Sequence, residues 1–308
     1  MALIKKPYEL TFQPKIKALI YGEPGTGKTT LALSAPNPLL IDCDGGLHRV
    51  NYGHLKDAVQ VTSYDDILAL FNEDLSEYET IIFDTGGKLL DFMAGYIIKN
   101  NPKAGMRNGT LSLKGYGERK QEFSALCKRV SQLDKHIIFV AHQKTTEENE
   151  IKRYVPLFGG SNYDDLVTEL DLVGYVKMIG NNRTITFNPT EKNDGKNTCN
   201  LPPEINIALS VDEKGNALKN EFFSQVIDAY TARIRKNQEE GIKYNNIIRT
   251  FAEGVEKATT AEDLDRLLAD ILNTEHIGTS AEKTKMMLFN KSKQLGIAYN
   301  TELKKFAV

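Results

Sequence analysis

The stretch GEPGTGKTTLALSAPNPLLIDCDGG, residues 22–46, decides the reading of the fold. Its opening, Gly22-Glu23-Pro24-Gly25-Thr26-Gly27-Lys28-Thr29, satisfies GxxxxGK[ST] in full. The strand-like run KALIYG (17–22) leads into it and a helix-forming run leads out. A glycine loop in that setting turns backbone N–H groups and a helix N-terminus towards phosphate oxygens. Gly22, Glu23, Pro24, Gly25, Thr26, Gly27, Lys28, Thr29 and Thr30 are therefore the expected nucleotide-binding set. Lys28 is expected to neutralise the β- and γ-phosphates, and the Thr29 hydroxyl to ligate Mg²⁺. The stretch then closes on PLLID (38–42) and Cys43-Asp44, which sets acids close behind the phosphate loop.

Working outward, TIIFD (80–84) is an apolar run closed by Asp84, a Walker B pattern whose carboxylate is expected to hold Mg²⁺ through water. A strand-ending Asp also serves as a plain helix cap. HIIFVAH (136–142) is a further run of the same kind. Apolar on both faces and ending in small or polar residues, these runs suit buried parallel strands. Such strands deliver functional groups at their C-terminal edge. LDLVGYVKMIG (170–180) and RTITFNP (183–189), parted by Asn181-Asn182, are expected as a hairpin extending the sheet. Residues 1–210 thus predict an α/β domain, a mainly parallel twisted sheet covered by helices.

Beyond Val211 the pattern turns helical. Phe222, Phe223, Val226, Ile227, Tyr230 and Ile234 recur at helical spacing, predicting a connecting helix within 211–235 that Gly241 stops. Thr259 with Glu262, and Thr279 with Glu282, fit capping boxes opening two more helices. Leu264, Leu267, Leu268 and Ile271 form the buried face of the first, so residues 236–308 predict a small helical domain.

The chain has 308 residues, 41% hydrophobic and 26% charged, with net charge -2, so a nucleic-acid partner must be argued from local charge. Its three cysteines include no CxxC pair, which disfavours a zinc knuckle or disulfide framework and suits a reducing cytoplasm. MALIKKPYEL lacks the apolar run of a signal peptide, and no stretch has membrane-spanning length. The expectation is a soluble cytoplasmic protein with no membrane partner.

The order of these parts resembles the RecA-like ATPases of bacteriophages, in particular the RecA-like branch of the Sak single-strand-annealing proteins. GEPGTGKTTLALSAPNPLLIDCDGG, TIIFDTGG, LSLKGYGERKQEF, IIFVAHQ, FGGSNYDD and NPTEKNDGKNTCNLPPEI carry the likeness, over about residues 12–209. The resemblance implies a RecA-like P-loop NTPase core that binds ATP and Mg²⁺ and hydrolyses ATP. It places the water-activating acid at Asp44, where such proteins normally have glutamate. A turn in which Asp44 and Gly45 only bend the chain is the other reading. Gln143 matches a strand-end residue that contacts the γ-phosphate and relays nucleotide state, an ordinary solvated strand end being the alternative. Lys28, Asp44, Asp84 and Gln143 are thus the implied catalytic set, with Thr29 and Asp84 on the metal.

The same resemblance implies a recombination protein that binds single-stranded DNA and promotes annealing or strand exchange. It implies a homo-oligomer, ring or filament, with ATP at the subunit interface and a basic residue reaching in from the neighbour. Lys177, Arg183, Lys192 and Lys196 are candidates for that residue. A phage-encoded protein would work in a bacterial cytoplasm, with a single-strand-binding or replication partner on the C-terminal region. From Lys99 to Lys120 the chain is basic, and Lys103, Arg107, Lys114, Tyr116, Arg119 and Lys120 are the candidate DNA contacts. A second candidate loop runs from Lys144 to Tyr163, with Lys152, Arg153, Tyr154 and Phe158, although Glu147, Glu148 and Glu150 oppose a simple phosphate groove. Solvated charged loops are the plain alternative for both. A RecA-core helicase or helicase loader, and a nucleotide-gated interaction protein with slow hydrolysis, remain open. No NKxD motif supports a GTPase, and no arginine-rich lid supports a small-molecule kinase.

Overall fold

Strands apolar on both faces need cover on both sides, and the computed structural model, which describes residues 14–148, 150–159, 163–180 and 182–307, supplies it. In chain order come β1 (Lys17–Gly22), α1 (Lys28–Ala32), β2 (Pro38–Asp42), β3 (Ala58–Gln60), α2 (Tyr64–Leu70) and β4 (Thr80–Asp84). Next are α3 (Gly86–Asn100), α4 (Leu113–Gln132), β5 (His136–Glu148), β6 (Ile151–Pro156) and α5 (Tyr163–Val167). β7 (Leu172–Ile179), β8 (Asn182–Thr186), β9 (Lys196–Asn197) and β10 (Glu204–Ile207) complete the sheet. Its order is β10-β8-β7-β1-β5-β4-β2-β3, with β6 on β5 and β9 on β7. Pairs from β7 through β3 along this order are parallel, and the remainder are antiparallel.

Alternate residues of each central strand enter different cores. Leu19, Tyr21, Ile81, Phe83, Ile137 and Phe139 pack with Leu89, Met93, Phe123 and Leu126 of α3 and α4. Ala18, Ile20, Ile82, Ile138 and Val140 pack on the opposite face with Leu31 and Ala32 of α1 and with Phe223, Val226 and Ile227. Register then aligns the strand ends: Asp42 lies beside Asp84, Asp84 beside Val140, and Gly22 beside His142. Gly22 is required there, because a Cβ would stand 2.2 Å from the Val176 carbonyl oxygen of β7.

The four early strands, the β7–β8 hairpin and the short α1 lie where the sequence predicts them; Asn181 of the predicted turn falls outside the described residues. Several elements differ. β3 is a three-residue parallel strand beside β2, too short and too exposed to leave an apolar signature. The expected second loop is a polar β5–β6 hairpin, Gln143 to Glu148 pairing with Pro156 to Ile151. Phe158 of that segment is core, against Phe123 and Phe139, and Tyr154 stacks on Tyr175 with centroids 5.6 Å apart. The basic segment after Lys99 is α-helical only at its ends, in α3 and α4. Asn101 to Ser112 form a short connection, and the Ser112 hydroxyl accepts from Gly115 N–H at 3.2 Å to open α4.

Residues 14–230 and 231–307 fall into two compact units. α6 (Phe222–Lys257) begins in the first and ends in the second, running through Gly241 instead of stopping there. A single glycine opposes helix by about 1 kcal/mol, which many turns of helix override. The second unit holds α7 (Ala261–Asn273), α8 (Ser280–Leu295) and the β11 (Ala298–Asn300)–β12 (Lys305–Ala307) hairpin. Leu264, Leu268 and Ile271 are buried as predicted, with Leu267 partly so. The α7 capping box is Thr260 with Asp263, one residue later than Thr259 with Glu262, and Thr279 makes no side-chain cap on α8. Among the described residues no helix is long and apolar enough to cross a membrane, and all three cysteines are buried and outside any disulfide.

Candidate nucleotide site

The loop after β1 folds back on itself through two left-handed glycines, Gly25 (φ 80) and Gly27 (φ 76), and Gly27 caps α1. Lys28 points inward, donating to the carbonyl oxygens of Gly22 at 3.0 Å and Glu23 at 2.7 Å. Burial lowers its ammonium to about 8, against the raising pull of Asp84 and Glu23. Thr29 Oγ1 donates to Asp84 Oδ2 at 2.5 Å. Burial raises the Asp84 carboxyl to about 6; the Thr29 hydrogen bond opposes this and the Asp44 charge adds to it.

The two acids at the end of β2 divide their tasks. Asp42 is buried, and its carboxylate accepts from Gly46 N–H at 3.0 Å and Leu47 N–H at 3.4 Å, which fixes the turn. Asp44 is half-buried and lines a cavity of about 420 Å³ together with Gly25, Lys28, Thr29, Asp84 and His142. It too accepts from Gly46 N–H, at 2.9 Å, and Gly45 (φ 72) turns the chain beside it. Gln143 Nε2 donates to Glu23 Oε1 at 3.2 Å, so β5, between the phosphate-loop strand and the Walker B strand, touches the loop just past its last pair with β1, Gly22 with His142. His142 Nδ1 and Gln143 Oε1 are buried with no hydrogen-bond partner among the described residues, and burial lowers the His142 imidazole. Thr29 and Asp84 supply hard oxygen donors. Among the described residues no cluster of three or more His, Cys, Asp or Glu could hold a metal, so an ion here would share its sphere with substrate oxygens and water. That suits Mg²⁺, which is bound through one or two protein groups plus phosphates.

A family model described as "AAA domain" matches residues 14–199, more than half the chain. The chain belongs to this AAA domain family. None of the curated proteins compared with it matches. Among solved structures it is similar to one titled as an ATPase domain, at 11% identity and TM-score 0.39, over 68% of this chain and 86% of that one. It is also similar to a KaiC-like protein, PH0186, from Pyrococcus horikoshii OT3, at 10% identity and TM-score 0.35, over 57% and 79% of the two chains. With the P-loop strand and the Walker B strand parted by β5, this AAA domain protein has a P-loop NTPase fold on a mainly parallel sheet.

The basic residues expected at DNA are dispersed in the AAA domain. Lys103 and Arg107 are exposed, Lys114 pairs with Glu118 at 3.8 Å, and Lys120 with Asp165 at 2.6 Å. Arg119 is only 8% exposed, and its Nη2 donates to the Gly159 carbonyl oxygen at 2.8 Å. Its guanidinium lies 4.9 Å from the Tyr116 ring centre. Tyr116 and Arg119 border a second cavity, of about 470 Å³, that shares Asp44, Thr85 and His142 with the first. Of the cations considered for a neighbour's site, Lys177 pairs with Glu204 at 2.7 Å and Lys196 donates to the Val167 carbonyl oxygen at 2.9 Å. Arg183 donates to the carbonyl oxygens of Ala208 at 2.7 Å and Thr26 at 3.5 Å, bracing the phosphate loop of its own chain, and Lys192 is exposed. Arg49 also lines the 420 Å³ cavity. The sequence offered no signal for it beyond a lone cation five residues after Asp44.

Proposed function

We propose that the chain hydrolyses ATP with Mg²⁺ and couples that cycle to single-stranded DNA, as a phage recombination protein promoting annealing or strand exchange. The observation that carries the hydrolytic part is one cavity into which Lys28, the Thr29–Asp84 pair and Asp44 all face. Exchanging its loop carbonyls for phosphate oxygens, Lys28 would neutralise the β–γ end of the nucleotide. Mg²⁺ held through Thr29 and Asp84 would supply further charge neutralisation at those oxygens. Asp44 orients a water and takes its proton as the water oxygen bonds to the γ-phosphorus. The bond from that phosphorus to the bridging oxygen breaks, its electron pair leaves on ADP, and Asp44 later releases the proton to solvent.

Coupling to DNA is supported by the Gln143–Glu23 hydrogen bond, because Gln143 opens the projecting β5–β6 hairpin. A change at the loop that moves Glu23 therefore pulls on the hairpin base. Exposed Lys103 and Arg107, and the cavity of Tyr116 and Arg119 beside Asp44, are the proposed path of the strand. Assembly into a ring or filament belongs to the same reading. ATPase activity measured with and without single-stranded DNA, alongside particle size in both states, tests it. DNA-stimulated turnover with growth in particle size is expected. Turnover indifferent to DNA, with no assembly, would leave a nucleotide-gated interaction protein as the better description.

A further inference from the structure

We infer that Arg49 is an arginine finger supplied in cis, a catalytic residue that donates to the γ-phosphate of the nucleotide bound by its own chain. The inference rests on the hydrolytic reading above. Arg49 ends a single 3-10 turn (Leu47–Arg49) directly behind the acid, its backbone N–H donating to Gly46 O at 3.0 Å. A Cβ on Gly46 would lie 2.7 Å from Asp44 Oδ1 and 3.3 Å from Arg49 Nη1, so the carboxylate and the guanidinium flank one small gap. The φ of Gly46, -85, is open to any residue, so a side chain there would press on these two groups and not on the backbone. Both groups line the cavity that holds Lys28 and the Thr29–Asp84 pair. Among the described residues Arg49 is exposed and makes no ion pair or hydrogen bond through its side chain.

The segment bearing Arg49 is anchored on both sides by its own chain. Asp42 accepts from the N–H groups of Gly46 and Leu47. Beyond Val50, Asn51 Nδ2 donates to the Gly215 carbonyl oxygen at 2.9 Å, and His54 Nε2 contacts Ser210 O at 2.6 Å. A guanidinium placed there meets the three equatorial oxygens whose charge grows as the γ-phosphoryl group transfers, while Asp44 takes the proton of the attacking water. The other cations near the loop are engaged on carbonyl oxygens, Lys28 on Gly22 and Glu23 and Arg183 on Thr26 and Ala208. Of the cations this chain brings to the cavity, Arg49 is the one whose guanidinium sits beside the water-activating acid.

Three readouts on the full chain test the inference. Arg49→Ala should lower kcat about 10²- to 10³-fold with KM for ATP little changed, and Arg49→Lys should recover part of it. A kcat within about threefold of wild type, under the same bounds, would overturn it. Binding of ADP with aluminium fluoride, which mimics the transferring phosphoryl group, should weaken in Arg49→Ala while binding of ADP alone holds. Equal loss or equal retention of both affinities would reduce Arg49 to a general binding residue or a bystander. Mixing Arg49→Ala with Lys28→Ala protein should restore no turnover, whereas rescue would show a finger acting across subunits. Lys28→Ala alone separates the two layers. If that variant turns over normally, the hydrolytic site itself is wrong; if it is dead while Arg49→Ala is not, only the finger falls.

Discussion

Thr29 of the phosphate loop and Asp84 of the Walker B strand share a hydrogen bond of 2.5 Å, although β5 separates their strands in the sheet. Asp84 is buried and Thr29 half-buried, and the carboxyl sits near 6 where 3.8 is ordinary. Below the ordinary value both folded and unfolded chains hold the proton. Between about 3.8 and 6 the unfolded chain has released the proton that the folded chain still holds, so stability is present at low pH and lost across that window, by about 3 kcal/mol at most. Asp84→Asn removes that burden. Nucleotide-free Asp84→Asn is expected to melt higher than wild type at pH 8 and to converge with it near pH 3.5, below the ordinary carboxyl value, while losing Mg²⁺-dependent hydrolysis. Melting curves at the two pH values decide it, and no gain at pH 8 would count against a buried ionised Asp84.

Asp44 lines the cavity with its carboxylate near the phosphate loop, while Asp42 carries most of the turn. Asp44→Asn keeps the side chain's size and its acceptor for Gly46 N–H but cannot take a proton. ATP binding should persist and turnover should fall about 10²- to 10⁴-fold, the usual worth of a general base. Asp44→Glu extends the acid by one methylene and should retain turnover or raise it. Single-turnover hydrolysis beside nucleotide binding tests both, and an Asp44→Asn variant as fast as wild type would remove Asp44 from the chemistry.

Much of this site was legible because its signals are local. Gly22 to Thr30, Asp84 and the strands KALIYG, PLLID, TIIFD and HIIFVAH announce themselves through glycine spacing and apolar runs bounded by acids. The β5–β6 hairpin gave no such sign, since QKTTEE and IKRYVP lack a continuous apolar run and are organised by pairing with each other and by distant partners, Tyr154 on Tyr175 and Arg153 on Asp194. Arg119 looked like one cation among several in a basic run. Its burial follows from helix phase, because α4 starts at Leu113 and turns Arg119, with Phe123 and Leu126, towards the core. Arg49 was invisible for another reason: its place depends on the Asp42 turn and on anchors at Ser210 and Gly215, far along the chain.

Gln143 reaches Glu23 at 3.2 Å from the base of the hairpin. The hydrogen bond joins half-buried Gln143 to exposed Glu23 and is worth little to stability, about 1 kcal/mol or less. Its removal should therefore act on coupling. Gln143→Ala, and separately Glu23→Ala, are expected to keep basal ATP turnover within a fewfold of wild type and to lose stimulation by single-stranded DNA. ATPase titrations with DNA measure both terms, and stimulation preserved in both variants would end the relay.

Lys103 and Arg107 stand exposed beside a turn in which Met106 N–H donates to Thr110 O at 2.7 Å, with Lys114 one helical turn beyond on α4. Reversing these three to Glu should weaken single-strand binding and flatten its dependence on salt, since each phosphate left unneutralised lowers the slope by about 0.7 for single strands. Arg119→Ala belongs to a different class. It removes a buried guanidinium from the Gly159 carbonyl oxygen and from the Tyr116 ring, so it should lower the melting temperature before it lowers DNA affinity. Binding isotherms across a salt series, run beside melting curves, separate the two effects. Unchanged affinity and slope in the triple reversal would take this segment out of the DNA path, whatever Arg119→Ala does to stability.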